Sequence, residues 1–99
     1  MYIAILDFTV SPTGRPEALA ALLAEAETVR SMPGNIAFRP YVDPVRPDAV
    51  CVVHEWADAA SFAAYANSDT FRRSGAILRP MMTSSPVSRR MTAQLVETV

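Results

Sequence analysis

Residues 49–56 of this chain read AVCVVHEW, and they decide the fold. Apolar residues fill almost every position, which is typical of a strand that is covered on both faces. Because successive side chains of a strand point to opposite faces, His54 and Trp56 share one face of the sheet, while Cys51 and Val53 share the other. The stretch therefore predicts a strand at the centre of a sheet.

The segments around this strand predict six further elements. They are a strand over 2–10, a helix of about sixteen residues from Pro16, a strand over 36–42, two short helices capped by Asp58 and by Ser68 or Asp69, and a last strand over 89–98. Pro40 cannot donate to a ladder hydrogen bond, so the strand over 36–42 belongs at a sheet edge. This order predicts one α+β domain over residues 1–99 with ferredoxin-like βαββααβ topology, in which four antiparallel strands carry the helices on one face.

The face of the sheet away from the helices is apolar as well. In the first strand Ile3 and Ile5 point to the face opposite Ala4 and Leu6, so both faces receive apolar side chains. Helices can cover only one of them, and soluble monomers rarely expose a contiguous apolar patch. We therefore expect a homodimer in which the sheets of two subunits face each other across a two-fold axis.

Composition and charge exclude several classes of protein. The net charge is −1 and the nine cations are scattered, so no basic stripe is available to follow a nucleic acid. No segment approaches the ~20 apolar residues of a membrane span, and residues 1–10 lack the features of a signal peptide. We therefore expect a cytoplasmic protein that binds neither nucleic acid nor membrane, with Cys51 as a buried thiol.

The sequence also lacks the usual cofactor motifs. All nine cations are arginine, so there is no lysine to form a Schiff base with pyridoxal phosphate. The three glycines are isolated and form no dinucleotide- or phosphate-binding loop, and no group of His and Cys has the spacing of a metal site. No G-x-S-x-G motif marks a nucleophilic serine. We expect neither a cofactor nor a metal ion.

A few residues are suited to acid–base chemistry or ligand binding. His54 is the only histidine and has an ordinary pKa near neutrality, so it is the candidate base, with a hydrogen-bonded structural role as the alternative. Tyr65 could donate a hydrogen bond to a ligand oxygen or simply pack. On the second short helix Gly75 leaves room for a ligand, unless it only weakens the helix. Arg72 and Arg79, seven residues apart, either meet an anionic group or stay solvated.

Several motifs follow one another in a characteristic order. They are Met32-Pro33-Gly34-Asn35, Glu55-Trp56, Ser61-Phe62 with Tyr65, and Asn67-Ser68-Asp69-Thr70-Phe71. In this order and spacing they resemble the antibiotic biosynthesis monooxygenase family of dimeric α+β barrels, over nearly the whole chain. The resemblance implies a ligand pocket in each subunit between the sheet and the two short helices. It also implies that Trp56 stacks on an aromatic substrate there, with plain packing in the core as the alternative.

Members of this family include cofactor-free oxygenases of aromatic polyketides, quinol oxygenases and haem-degrading enzymes. Where the haem degraders have a strand-one asparagine, a helix tryptophan and a haem-ligating histidine, this chain has Asp7, Tyr65 and Gly75, which argues against haem degradation. The polyketide oxygenases have an asparagine four residues before the tryptophan that ends the third strand. Val52 stands at that position here.

The residues and the resemblance together predict an enzyme. It is a cofactor-independent monooxygenase that oxidises a phenolic, anthrone or quinol-type aromatic, such as a polyketide intermediate, to a quinone with O2. The expected catalytic residues are His54, Trp56 and Tyr65, and the expected substrate-binding residues are Phe62, Arg72, Gly75 and Arg79. Two alternatives stay open, namely a polyketide cyclase or isomerase on the same fold, in which oxygen plays no part, and a protein that only binds a small aromatic.

Overall fold

The chain folds into one antiparallel sheet with three α-helices packed on one of its faces. The structure is a computed structural model that describes residues 1–99. In chain order its elements are β1 (Tyr2–Thr9), α1 (Arg15–Val29), β2 (Asn35–Val42), β3 (Ala49–Trp56), α2 (Ala59–Ala66), α3 (Asp69–Leu78), a 3-10 turn (Arg79–Met81) and β4 (Val87–Thr92). The strands lie in the order β2-β3-β1-β4 and all pair antiparallel, so the predicted ferredoxin-like α+β fold is confirmed.

β3 is a central strand, as its apolar run predicts, and β2 lies at the edge that Pro40 requires. The even-numbered residues of β3, from Val50 to Trp56, are buried, whereas the odd-numbered ones are half-buried. On the buried face β3 joins one hydrophobic core with α1, which contributes Leu22 and Val29. This face therefore carries the helices, and the opposite face carries none.

Capping side chains fix where the two short helices begin. The Asp58 carboxylate accepts a hydrogen bond from the Ser61 N–H at 2.8 Å, and the Ser68 hydroxyl accepts one from the Phe71 N–H at 3.2 Å. Ser68 is thus the cap of α3, and Asp69 is its first residue. The longest helix, α1, has 15 residues, and no helix combines the length and apolar character needed to cross a membrane.

The last strand differs from the prediction, since it ends at Thr92 rather than at residue 98. β4 pairs with β1 from Asp7↔Val87 to Tyr2↔Thr92, and the Ala93 N–H then donates to the Met1 carbonyl at 2.7 Å. β1 itself begins at Tyr2, where its pairing with β4 ends. The alternating pattern after Thr92 therefore finds no partner strand in this chain.

Gly34 connects α1 to β2 in a conformation that only glycine adopts easily. Its φ is 80°, in the left-handed region, and its carbonyl accepts a hydrogen bond from the Ala57 N–H at 2.7 Å. A Cβ at this position would overlap the side chain of Ser61, lying 2.6 Å from its Cβ. Gly34 thus contacts both Ala57, just after β3, and Ser61 in α2, and these contacts place α2 over the sheet.

We expect Gly34→Ala to lower the free energy of unfolding by about 2 kcal/mol or more, because the left-handed backbone costs roughly 1 kcal/mol and the overlap with Ser61 adds to it. Urea unfolding followed by circular dichroism measures the change. Gly14→Ala is the matched control, since Gly14 has a φ of −86° and its nearest neighbour is the flexible hydroxyl of Ser11 at 2.9 Å. Equal losses in the two variants would contradict the role given to Gly34.

Candidate active site

A cavity of about 270 Å³ lies between the helix-covered face of the sheet and helices α2 and α3. Its apolar lining includes Leu6, Val52, Phe62, Phe71, Leu78 and Met82. Its polar lining includes Glu25, His54, Tyr65, Ser74, Arg79 and Arg90. An apolar cavity of roughly 150 Å³ holds a benzene molecule, so this one has room for an aromatic of about two fused rings.

The register of the sheet brings side chains from distant parts of the chain into one row beneath the cavity. Phe38 on β2, His54 on β3, Ala4 on β1 and Arg90 on β4 are successive partners across the sheet. Neighbouring strands are about 4.8 Å apart, so the backbones of His54 and Arg90 are separated by roughly 10 Å. The small side chain of Ala4 lies between them.

A buried hydrogen bond fixes the orientation of His54. Trp56 Nε1–H donates to His54 Nδ1 at 2.9 Å. Because an indole nitrogen can only donate, Nδ1 must be unprotonated, and the neutral imidazole carries its hydrogen on Nε2. Every fully buried polar side-chain atom of the protein has a hydrogen-bond partner, whereas His54 Nε2 has none in the protein. Nε2 is therefore not fully buried, and its hydrogen is the part of the ring that reaches the cavity.

The surroundings of His54 favour the neutral ring. Burial, and to a smaller extent the positive charge of Arg90, lower the pKa of His54 from 6.5 to about 4. At neutral pH the ring therefore has no free lone pair, because Nδ1 is occupied by the indole. The predicted role of base stays a prediction, and this geometry suits a hydrogen-bond donor better.

Trp56 lies behind the cavity wall and not in it. Its side chain is 0 % exposed, and the ring of Tyr65 stacks on it with centroids 5.3 Å apart and planes at 24°. The stacking partner of the indole is therefore Tyr65 of the protein itself, rather than the substrate that the resemblance implied. Trp56 acts on the cavity through His54 and Tyr65.

Tyr65 and Glu25 form a second polar pair in the wall. The Tyr65 hydroxyl donates to Glu25 Oε2 at 3.1 Å, and both residues are buried. Burial raises the pKa of the Glu25 carboxyl above its usual range, while hydrogen-bonding contributions from Ser74 and Tyr65 oppose this in part. Burial and the neighbouring Glu25 raise the pKa of Tyr65, so its hydroxyl keeps its proton. Glu25 is consequently a stronger base than an exposed carboxylate.

The other predicted site residues divide into two groups. Phe62, Gly75 and Arg79 line the cavity, whereas Arg72 does not. The Arg72 guanidinium pairs with Asp69 and donates to the Asn67 carbonyl at 3.0 Å. Arg79 continues the helical backbone, with its N–H donating to the Gly75 carbonyl, so the difference lies in the Arg72 side chain, which Asp69 and the Asn67 carbonyl hold away from the cavity.

Three residues of the site were missed by the sequence reasoning. Glu25 carries a detectable signal, since it lies three residues after Leu22 and four before Val29, on the apolar stripe of α1 where a charged residue is unusual. Phe38 and Arg90 reach the cavity through their strand register, and no local pattern marks them. Within the chain no group of three or more His, Cys, Asp or Glu side chains is arranged to hold a metal ion.

Comparison with known proteins identifies the family. The sequence model named "antibiotic biosynthesis monooxygenase" matches residues 1–76. The chain belongs to this family. The resemblance found in the motifs from Met32 to Phe71 is thereby confirmed. No curated protein matches the sequence.

Solved structures share the fold at low sequence identity. A crystal structure of an antibiotic biosynthesis monooxygenase is 20% identical with a TM-score of 0.86, over 96% of this chain and 100% of that one. A protein from Nitrosomonas europaea that carries the same family name is 15% identical with a TM-score of 0.90, over 96% and 100%. A conserved protein from Methanosarcina mazei Go1 is 18% identical with a TM-score of 0.87, over 95% and 94%. At these identities the likeness concerns the fold alone.

The burial of His54 predicts a loss of stability in mild acid. Between pH 6.5 and about 4 the unfolded chain binds a proton at His54 that the folded protein does not bind, so the free energy of unfolding falls as the pH falls. The full effect of this one group is roughly 3 kcal/mol, from 1.36 kcal/mol per pKa unit. Urea unfolding at several pH values from 7 to 4 measures it.

His54→Asn is the matched variant, because the Asn carbonyl can still accept from Trp56 but does not titrate. It should show a flatter pH dependence than the wild type between pH 6.5 and 4. Glu25 affects the free energy of unfolding with the opposite sign in both proteins. Because its pKa is raised in the folded state, the folded protein binds the proton at a higher pH than the unfolded chain does, which raises stability as the pH falls. An unchanged slope in His54→Asn would contradict the assignment.

Proposed function

We propose that the chain is a cofactor-independent monooxygenase that oxidises a phenolic aromatic of two rings, such as a naphthol, or a three-ring anthrone to a quinone with O2. The observation that supports it most is the presence of a fixed donor and a buried acceptor in one aromatic-lined cavity. The donor is His54 Nε2–H, and the acceptor is the Glu25 carboxyl held by Tyr65. Membership of the family supports the oxygenase class.

In the first step the Glu25 carboxylate takes the phenolic proton. A carboxylate whose pKa is raised by burial is better matched to this task than a solvated one. His54 Nε2–H then donates to the phenolate oxygen, which stabilises the negative charge without giving up a proton. The apolar walls exclude water and leave the anion electron-rich.

The phenolate supplies the electrons for oxygen. One electron passes from it to O2, which gives a phenoxyl radical and superoxide, and the two combine at the ring carbon para to the oxygen to form a C–O bond. Protonated Glu25 returns its proton to the resulting peroxide. Loss of the para C–H proton and cleavage of the O–O bond then leave a carbonyl group and release water. In sum, the phenol and O2 become a quinone and one water.

Incubation of the protein with 1-naphthol under 18O2 tests the proposal, with anthrone as a larger substrate. We expect consumption of one O2 for each quinone, one 18O atom in the new carbonyl group and no product under nitrogen. Conversion that proceeds equally well without oxygen would overturn it in favour of the cyclase or isomerase alternative. Binding of both compounds with no conversion would favour a protein that only binds aromatics.

Glu25→Gln tests the proton acceptor, because an amide keeps the shape of the side chain but cannot take the phenolic proton. We expect kcat/KM for 1-naphthol to fall by about a hundredfold. Glu27→Gln is the matched control, since Glu27 lies on the same helix with an exposed side chain and outside the cavity. Equal activity of the two variants would show that Glu25 is not the acceptor.

We further propose that a second copy of the chain covers the sheet face that carries no helix. On that face Ile3, Ile5 and Val53 are half-buried, and Val87 and Met91 are 56 % and 39 % exposed. Ile3, Ile5, Val53 and Met91 are neighbours across three adjacent strands and form an apolar surface, which the Asp7–Arg89 ion pair separates from Val87. Two identical surfaces of this kind can pair across a two-fold axis.

Ile3→Glu should convert the dimer to a monomer, because the charge would be buried in the interface beside Glu55, its partner across β1 and β3, with no cation directly opposite. Light scattering coupled to size-exclusion chromatography gives the mass in solution. Val45→Glu is the control, because Val45 is 85 % exposed in the loop between β2 and β3 and its substitution should leave the dimer intact. A wild-type protein that is monomeric at micromolar concentration would contradict the proposal.

A further inference from the structure

Two arginines at the cavity have no carboxylate partner in the chain. Arg79 and Arg90 both line the cavity and are exposed at its mouth. Arg90 lies over the ring of Phe62, with the guanidinium carbon 4.8 Å from the ring centroid, and its Nε donates to the Ser88 hydroxyl at 3.2 Å. The Phe62 ring thus holds the Arg90 guanidinium beside the cavity, and the terminal N–H groups of Arg90 stay available to bind a ligand.

Other arginines of this chain are used differently. Arg46, Arg72 and Arg89 each form an ion pair, with Asp48, Asp69 and Asp7 respectively. Six arginines form none, and of these only Arg79 and Arg90 line the cavity. Two guanidinium groups that share a partly enclosed cavity repel each other, and an anion between them relieves that repulsion. The arrangement is therefore suited to an anionic group of a ligand.

The opposite side of the cavity has a different character. Glu25 lies on α1, which packs on β2 and β3, whereas Arg90 lies on β4 at the far edge of the sheet. The groups that shift the pKa of Glu25 are its own burial, Ser74 and Tyr65, and none of them is a cation. Arg90, in contrast, acts on His54, which lies between the two sides. The cavity therefore has a cationic mouth and an inner side where the Glu25 carboxylate can accept a proton.

From this polarity we infer that the ligand is a hydroxylated aromatic acid, whose carboxylate, or an equally acidic enolate, meets Arg79 and Arg90 while its hydroxyl group meets Glu25 and His54. The inference rests on the proposed function for the placement of the reacting hydroxyl. It adds that the substrate is anionic and that it binds in one orientation. The arginines hold the acidic end, and the hydroxyl is thereby directed to Glu25.

Binding of three matched probes tests the inference. The probes are 6-hydroxy-2-naphthoate, its uncharged carboxamide and 2-naphthoate, which lacks the hydroxyl. Isothermal titration calorimetry under nitrogen measures their affinities without any oxidation. We expect the hydroxynaphthoate to bind at least about tenfold more tightly than the carboxamide, with the preference reduced by added salt, and more tightly than 2-naphthoate.

Substitutions separate the two ends of the cavity. Replacing both cavity arginines, Arg79→Met with Arg90→Met, should bring the affinities for the naphthoate and the carboxamide together. Arg72→Met should leave the preference intact, because Arg72 lies outside the cavity in its own ion pair. Glu25→Leu should remove the advantage of the hydroxyl without affecting the advantage of the carboxylate. Thermal unfolding confirms that each variant is folded.

The inference is overturned if the wild type binds 6-hydroxy-2-naphthoate and its carboxamide equally, if the preference survives in the double arginine variant, or if 2-naphthoate binds as tightly as the hydroxynaphthoate. These results do not depend on turnover. A carboxylate preference that is lost in the double variant, together with no conversion of 1-naphthol, would mean that the proposed oxygenation is wrong and the ligand class is right. Conversion of 1-naphthol without any carboxylate preference would mean that the proposed oxygenation is right and the ligand class is wrong.

Discussion

The hydrogen bond from Trp56 Nε1 to His54 Nδ1 determines what the cavity can do. It uses the acceptor of the imidazole, fixes the hydrogen on Nε2 and holds the ring with that hydrogen toward the ligand. The indole is in turn held by Tyr65, which stacks on it and donates to Glu25. Without the indole, His54 could adopt either tautomer, and Tyr65 would lose the surface that orients its hydroxyl. The tryptophan therefore organises the site without touching the ligand.

The sheet serves two purposes through its alternation. The face with Val52, His54 and Trp56 is covered by helices and carries the cavity, while the face with Ile3, Ile5 and Val53 is left for a second copy in our proposal. Because one strand supplies both faces, a change in the register of β3 would move His54 away from the cavity and expose the core at the same time. The stability of the sheet and the geometry of the site are thus coupled.

Burying Glu25 among apolar side chains is costly, and its hydrogen bond to Tyr65 offsets only part of that cost. A leucine at this position would satisfy the core equally well. The family resemblance did not indicate this residue, and neither the tryptophan of β3 nor the histidine beside it can accept a proton from a ligand at neutral pH. In our proposal the proton chemistry of this cavity therefore falls to Glu25 of α1.

The sequence by itself determined the order of elements, the central position of β3 and the edge position of β2, and it placed His54 and Trp56 on one face of the sheet. These features follow from strand alternation, helix capping and the properties of proline, which act over a few neighbouring residues. It also indicated Phe62, Gly75 and Arg79 at the cavity. Only the tertiary structure decided that Trp56 is sealed behind Tyr65, that Arg72 turns away and that Glu25 and Arg90 face the same cavity from opposite sides. The orientation of Arg72 depends on its ion pair with Asp69, and Glu25 has a local signal as a charged residue on the apolar stripe of α1. The positions of Trp56 and Arg90 depend on strand register and on helix packing, which bring together residues far apart in the chain and leave no local pattern in it.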